Sequence, residues 1–294
     1  NGTLISSGGR GWARAPFETD TSSYTANTIG TVFSTSKTIT AACFIDHLDD
    51  WGVSLSDSFV NYLPNSWRRH ADLAPITFEH LLRHRSGLTG TLDRYVQMRQ
   101  RIGVRGLDTT FNKRVYSNIN YTLFRVLITN LQDAQGLQSS IMQGDQQAID
   151  FCATQYEQFV QNKMAKAGMP GFQFINTDYL DVQPKTLYYN FDAYLSAPND
   201  QGKRGQLMFD CHDISGAGGW FMNPVQYAAF IDGLFNGSIV STPNLELMKS
   251  KRMGMSPVPG KHGTYYTHNG GASWTTPNGI AGSGGQCQWM YFPE

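Results

Sequence analysis

The sequence predicts an α/β (α+β) protein, with an antiparallel sheet flanked by helices and a second, mostly helical region. Three observations carry that expectation. A strand-like run, Thr3–Ser6, follows an Asn1-Gly2 turn; another, Gln286–Phe292, stands near the end of the chain; and several helical segments lie between them. The first helix, 36–48, is apolar on nearly all sides through Ile39, Ala41, Ala42, Cys43, Phe44, Ile45 and Leu48, the pattern of a helix buried in the middle of a protein. Trp51-Gly52 supplies its C-terminal glycine. Further helices are expected at 77–84, 117–133, 147–167 and 224–235. In 147–167, Ile149, Cys152, Tyr156, Phe159, Val160 and Lys163 recur at three- and four-residue steps. Residues 168–212, rich in Tyr, Phe, Asn, Asp and Pro without a period, read as a long irregular excursion. No internal repeat is visible. The order of elements divides the chain into a discontinuous sheet domain, 1–55 with 216–294, and a helical domain, 56–215, with a site between them.

Composition narrows the function classes. A chain of 294 residues can bury a sizeable core. Lys plus Arg and Asp plus Glu number 23 each, so there is no basic surplus for nucleic acid or an anionic membrane. No apolar run approaches the ~20 residues of a membrane span. The four cysteines include no C-x-x-C pair, and neither metal nor cofactor is expected. Cys43 reads as a small buried hydrophobe, whereas a Cys211–Cys287 disulfide stays open. Sequons stand at Asn1, Asn120 and Asn236 and matter only in a secreted eukaryotic protein. No signal peptide is visible, but the chain opens in mid-structure, so that says little.

Three short motifs could carry chemistry. Ser34-Thr35-Ser36-Lys37 is the one S-x-x-K of the chain. On a helix, residues three apart share a face about 5–6 Å apart, so the lysine amine can reach the serine hydroxyl. A serine hydroxyl needs an adjacent base, and a lysine serves only where desolvation or neighbouring charge lowers its pKa. Alone the motif is weak, because such a pair occurs by chance roughly once in a chain this long; Ser34 could equally be an N-cap and Lys37 a surface charge. Tyr116-Ser117-Asn118 precedes the helix at 117–133. Its phenol can relay a proton, and its amide can bind Lys37 and a substrate carbonyl. Tyr188-Tyr189-Asn190 is a second Y-x-N. His268-Asn269-Gly270-Gly271 follows the β-rich Thr264–Thr267; Gly270 lets a substrate backbone approach, and the amides of Gly271 and Ser34 could form an oxyanion hole. A solvated glycine turn is the plainer reading of that run, and Lys261-His262-Gly263 is its rival. The order of the three motifs is more telling than any one of them.

Longer stretches extend the pattern into a resemblance. Val32–Ala42 resembles the nucleophile helix of the serine β-lactamase-like and penicillin-binding protein family, and Leu81-Leu82-Arg83-His84-Arg85-Ser86-Gly87-Leu88 resembles its Leu-Leu-x-His-x-Ser-Gly-Leu run. Leu55-Ser56-Asp57, Tyr62-Leu63-Pro64, Ala167–Pro170 and Gly216–Trp220 are similar to further family segments. The resemblance implies the β-lactamase/transpeptidase-like fold, with Ser34 as nucleophile, Lys37 and Tyr116 sharing base duty, and Asn118 and His268 contacting substrate. It also implies a small-molecule or peptide substrate, and the expected location is extracytoplasmic or secreted.

Two departures qualify it. His268 stands where true class C β-lactamases carry Lys-Thr-Gly, which by resemblance suits D-alanyl carboxypeptidases, D-amino-acid peptidases and esterases. A Gly/Ser/Pro-rich insertion, Ala272–Gly285, follows. In the family, further strands and helices flank those resembling Thr3–Ser6 and Gln286–Phe292. The expectation is that these two runs share one sheet without being neighbours, two strands belonging between them. Either the sequence continues beyond these residues, or a second chain supplies the strands, or the sheet is built differently. The leading functional reading is a serine hydrolase that forms an acyl-enzyme on an ester or D-alanyl-type amide. A β-lactamase is the alternative among enzymes, and a catalytically silent relative used for binding or assembly is the alternative of another class. No G-x-S-x-G elbow supports a Ser-His-Asp hydrolase.

Overall fold

A computed structural model describes residues 3–89, 94–104, 106–168, 173–174, 186–189, 205, 211–274 and 283–293. The chain enters through the short strands β1 (Trp12–Arg14), β2 (Ser22–Ser23) and β3 (Gly30–Thr31). A single 3₁₀ turn, Phe33–Thr35, then delivers it into α1 (Ser36–Ile45). Every residue of α1 is buried, as its unbroken apolar surface requires. Its polar members are satisfied internally: Thr38 Oγ1 donates to Gly254 O at 2.6 Å, and Thr40 Oγ1 donates to Gly216 O at 2.6 Å. A one-turn helix, α2 (Leu48–Trp51), closes on Gly52 in the left-handed region at φ 61°.

Helices α3 (Phe78–Leu82), α4 (Tyr95–Val104), α5 (Ile119–Gln143) and α6 (Asp145–Lys166) follow; α3, α5 and α6 pack on α1, and α4 packs on α6. The helix expected over 117–133 continues past its expected end. Asp133 leaves helical geometry at φ −148°, ψ 74°, and the chain then resumes its turn to Gln143. The periodic apolar pattern thus stops at a kink rather than a terminus. Gly144, at φ 141°, reverses the chain so that α5 and α6 pack along one another. Of the excursion between 168 and 212, most lies outside the described residues; β4 (Gln173–Phe174) is within it.

Two antiparallel sheets frame the site. The smaller has the order β3-β5-β4, with β5 at Trp220–Met222. After α7 (Pro224–Phe235) and α8 (Thr242–Lys251), the chain forms the meander β6 (Ser256–Gly260), β7 (Gly263–Trp274) and β8 (Ser283–Tyr291). α7 begins with Pro224 behind a reciprocal Asn223–Gln226 capping box. In the meander, His268 pairs with Trp289 and Gly270 with Cys287, and the register runs on to Trp274 opposite Ser283. Most of the described part of the expected 272–285 insertion is therefore an extension of this hairpin.

The opening strand is a correction. Thr3–Ser6 forms no strand and pairs with nothing in the sheet; Leu4 is 55% and Ile5 96% exposed. A β-prone run needs an apolar face to bury, and this one meets none. The outer edge of β8 pairs with no strand among the described residues, and a groove of about 580 Å³ lies between it and α7. The four cysteines are free thiols: Cys211 and Cys287 pack near Phe33 and Phe221 without bonding. Cys43 is fully buried, as expected. Asn120 is only 1% exposed, which closes its sequon in the folded chain. No helix among the described residues is long and apolar enough to cross a membrane.

The main core is continuous from Val32 to Trp289 and is centred on α1. Phe44 stands 4.9 Å from the Phe78 ring and 4.6 Å from the Phe124 ring, joining α1 to α3 and α5. Phe44→Ala should therefore lower the unfolding free energy by about 3–5 kcal/mol, read from urea denaturation. A loss below about 1 kcal/mol would show that the neighbouring rings close the cavity.

Candidate active site

The serine expected as nucleophile is placed by backbone geometry before any side chain acts. Phe33 sits in the left-handed region at φ 47°, which is costly for a bulky residue and turns Ser34 out at the mouth of α1. Tyr227 OH donates to Thr35 O at 3.2 Å, and Thr35 Oγ1 donates to Val32 O at 2.5 Å, fixing this turn on both sides. Three residues on, Lys37 is fully buried. Its Nζ donates to Ser34 Oγ at 3.1 Å, to Asn118 Oδ1 at 2.9 Å and to Ala217 O at 2.7 Å. The ammonium's three donors thus meet three oxygens from separate parts of the chain. The surface-charge reading of Lys37 fails.

Tyr116 completes the group. Its hydroxyl donates to Ser34 Oγ at 2.8 Å and lies 3.5 Å from Asn118 Oδ1. Lys37 Nζ stands 4.9 Å from the centre of the Tyr116 ring, within cation–π reach. Half of the Tyr116 surface is open, yet its hydroxyl end turns inward. Burial holds the phenol above its ordinary pKa, the bond to Ser34 pulling the other way, so it is protonated at neutral pH. The rival Tyr188 is elsewhere: its hydroxyl accepts from Thr31 N at 3.0 Å and its ring meets Phe33, behind the nucleophile turn. Asn190 of that motif lies outside the described residues.

The opposite wall is β7. A Cβ on Gly270 would fall 2.7 Å from Ser34 N and 2.8 Å from both Thr35 N and Val32 O, so only glycine lets this strand meet the nucleophile turn. Gly271 lies beside it in a cleft of about 570 Å³, shared with Ser34, Tyr116, Asn118 and Gln288. His268 is half-buried next to Tyr116, with Nδ1 2.7 Å from Asn269 O. Burial, then the charge of Lys37, pushes its pKa down to about 4, so the imidazole is neutral at pH 7. The rival Lys261-His262-Gly263 forms the exposed β6–β7 turn, away from Ser34.

A second recess, of about 290 Å³, opens beyond Tyr116 and His268 and is lined by His84, Arg114 and Arg252. None of these three was singled out as a site residue from sequence. Arg114 stood two residues before Tyr116 and His84 inside the Leu-Leu-x-His run, so both signals were adjacent to motifs already read. Arg252 carried no sequence signal. No metal-binding cluster of His, Cys, Asp or Glu occurs among the described residues.

A serine, a buried lysine and a tyrosine within hydrogen-bonding distance, facing a glycine-lined strand, define a serine hydrolase type of site. The chain belongs to the beta-lactamase family, whose model matches residues 2–294. Among solved structures it is similar to a D-stereospecific amidohydrolase from Streptomyces sp., at 17% identity and a TM-score of 0.61, covering 96% of this chain and 88% of that one. A D-amino acid amidase from Ochrobactrum anthropi SV3 is similar at 16% identity and a TM-score of 0.57, covering 89% and 78%. An octameric penicillin-binding protein homologue from Pyrococcus abyssi is similar at 18% identity and a TM-score of 0.57; the match covers 89% of this chain and 62% of that one. These likenesses establish the fold. Among curated proteins, none matches the chain.

The depressed imidazoles make stability depend on pH. Burial holds His84 down to about 3 and His268 down to about 4, both below the 6.5 of an unperturbed histidine. Between those values the unfolded chain binds more protons than the folded one, so this stabilisation is full above about pH 6.5 and declines as pH falls toward 3–4. The urea midpoint should drop between about pH 7 and pH 4.5, and the drop should be shallower in His84→Asn. Parallel declines in the two proteins would show that His84 is not held neutral.

Proposed function

We propose that the protein is a serine hydrolase forming an acyl-enzyme on Ser34, with an ester or a D-amino-acid-type amide as substrate. The observation that carries this reading is the convergence of Lys37 Nζ and Tyr116 OH on Ser34 Oγ. In acylation, the Lys37–Tyr116 pair first gives up one proton to solvent; Ser34 Oγ then bonds to the substrate carbonyl carbon, the carbonyl π pair moves onto oxygen, and the Ser34 proton passes to the deprotonated pair. The same pair returns the proton to the departing amine or alcohol as the acyl–leaving-group bond breaks. Water then repeats the sequence on the ester, releasing the acid and restoring Ser34. The amides of Ser34 and Gly271 stabilise the oxyanion, and Asn118 and His268 orient the substrate. In this reading the cleft lies between the proposed sheet domain, 1–55 with 216–294, and the proposed helical domain, 56–215. The names of the Streptomyces and Ochrobactrum neighbours support an amide of D configuration.

Incubation with an activated ester should give one covalent adduct, mapped by peptide mass to Ser34; an adduct on Ser36, Ser86 or Ser215 would refute the assignment. Lys37→Met and Tyr116→Phe should each slow acylation by about 10²–10⁴. Because the two act as a unit, the double variant should cost little more than the worse single one. Additive losses would show that they act separately.

The leaving side of the substrate carries a further clue. A neutral His268 cannot itself supply the fixed cation that a carboxylate prefers. Arg114 and Arg252 can: both are exposed at the adjoining recess, and no acidic side chain lines it among the described residues. This favours the carboxypeptidase-like variant of the reading, with a free carboxylate near the scissile bond. A D-alanyl-D-alanine peptide should be cleaved faster than its C-terminal amide, and Arg114→Gln or Arg252→Gln should remove about tenfold of kcat/KM for the free acid only, the worth of one charge-assisted hydrogen bond. Equal losses for acid and amide would exclude carboxylate recognition by these arginines.

A further inference from the structure

His84 touches neither Ser34 nor the cleft around it, yet it holds three successive residues of the segment that presents Tyr116. Its carbonyl accepts from Val115 N at 2.9 Å. Its ring lies 4.6 Å from the Tyr116 ring, with the planes 35° apart. Its Nδ1 accepts from Ser117 N at 3.3 Å, which places the ring proton on Nε2. Asn120 Nδ2 lies 3.4 Å from the same Nδ1 and donates to Ser117 O at 3.2 Å, bracing the far side of the contact. Behind the imidazole stands Tyr121, its ring 5.1 Å away and its hydroxyl donating to Leu82 O at 2.8 Å. The imidazole therefore fills the space between one tyrosine that belongs to the core and one that reaches the nucleophile.

The backbone at His84 is held in the left-handed region at φ 55°, uncommon for a residue with a side chain, although histidine enters it more readily than most. The charged and titratable groups acting on the ring are Lys37, Arg114 and His268, and with burial they keep it neutral. A neutral ring is what the contact requires, since a protonated Nδ1 would set donor against donor at Ser117 N.

Tyr116 has half its surface exposed, and its backbone precedes α5 rather than lying within it. Its hydroxyl is held by Ser34 and its ring meets the Lys37 amine and the His84 ring. A displacement of about 1 Å between reacting groups can cost on the order of 10² in rate. We propose that His84 is a positioning residue for acylation, fixing the Tyr116 hydroxyl against Ser34 by gripping Val115, Tyr116 and Ser117 at once. This rests on the reading of Tyr116 as a partner in base duty.

The test is a double-mutant cycle on acylation by an activated ester. His84→Ala removes both ring and acceptor; His84→Asn keeps an acceptor near the Nδ1 position and tolerates the backbone conformation. His84→Ala should lower kcat about 10- to 100-fold with KM unchanged within about twofold, and His84→Asn should recover most of that loss. In a Tyr116→Phe background either substitution should cost less than about twofold more. Loss of the ring also admits water to the phenol, so the alkaline limb of the kcat/KM profile should move to lower pH. A merely structural defect would lower the amplitude and leave the limb in place. Should the alanine variant not fold, His84→Gly, which removes the same atoms and suits the positive φ, takes its place in the cycle with the same expected loss. Wild-type rates in His84→Asn and His84→Ala, or losses undiminished in the Tyr116→Phe background, would overturn the proposal. If Tyr116→Phe alone leaves acylation intact, the catalytic reading itself fails, and that outcome is separate from the behaviour of His84.

Discussion

Everything around the site depends on one buried charge. Lys37 brings an ammonium to the centre of the protein, where an uncompensated ion would cost several kcal/mol. Ser34, Asn118 and Ala217 answer it with three oxygens at 2.7–3.1 Å, and each belongs to a different part of the fold. Ser34 is the turn before α1, Asn118 the residue that opens α5, and Ala217 the loop before β5. The demand for three acceptors thereby fixes the relative position of those pieces. A reactive group and a structural tie are the same atom.

The surrounding packing bears on that charge. α1 is buried on every side through its apolar residues, and that burial surrounds the stem of Lys37 with apolar neighbours. Thr38 and Thr40 spend their hydroxyls on the carbonyls of Gly254 and Gly216, so the helix is pinned to the loops that precede β6 and β5. Tyr156 hydroxyl, 2.6 Å from Thr40 Oγ1, carries the restraint into α6. The strained Phe33 can be tolerated because both neighbours of its turn are hydrogen-bonded in place.

The readable part of the protein was the part with strong local signals. An apolar surface without a polar face pointed to a buried helix, whereas the spacing of Ser34 and Lys37 left a surface lysine open, a reading that only the burial of Lys37 closes. The periodic run of α5 was read to 133, where the backbone does break, but nothing local told that the helix resumes. α8 has only Leu245 and Met248 buried, too few to show a period, whereas α4 does space Tyr95, Met98 and Ile102 at helical intervals and was missed among its charged and glutamine neighbours. Thr3–Ser6 had strand composition but no surface to bury against, and composition does not report the absence of a partner. Tyr116 and Tyr188 were alike as motifs; the helix after Tyr116 and its place in the motif order favoured it, and tertiary placement separates the two. His84 was written into the most recognisable stretch of the chain, but its grip on residues some thirty positions later is a contact between loops, which spacing cannot express.

Gly270 has a consequence for how this site can change. Its missing side chain is the clearance through which β7 meets Ser34, so every other residue type would add an atom where the nucleophile's own amide stands. That wall of the cleft is closed to sequence drift. Diversity in what the cleft accepts has to be written on the facing side, in loops such as the one bearing Arg114 and on the outward residues of β8, while the strand beneath the reacting bond stays the same.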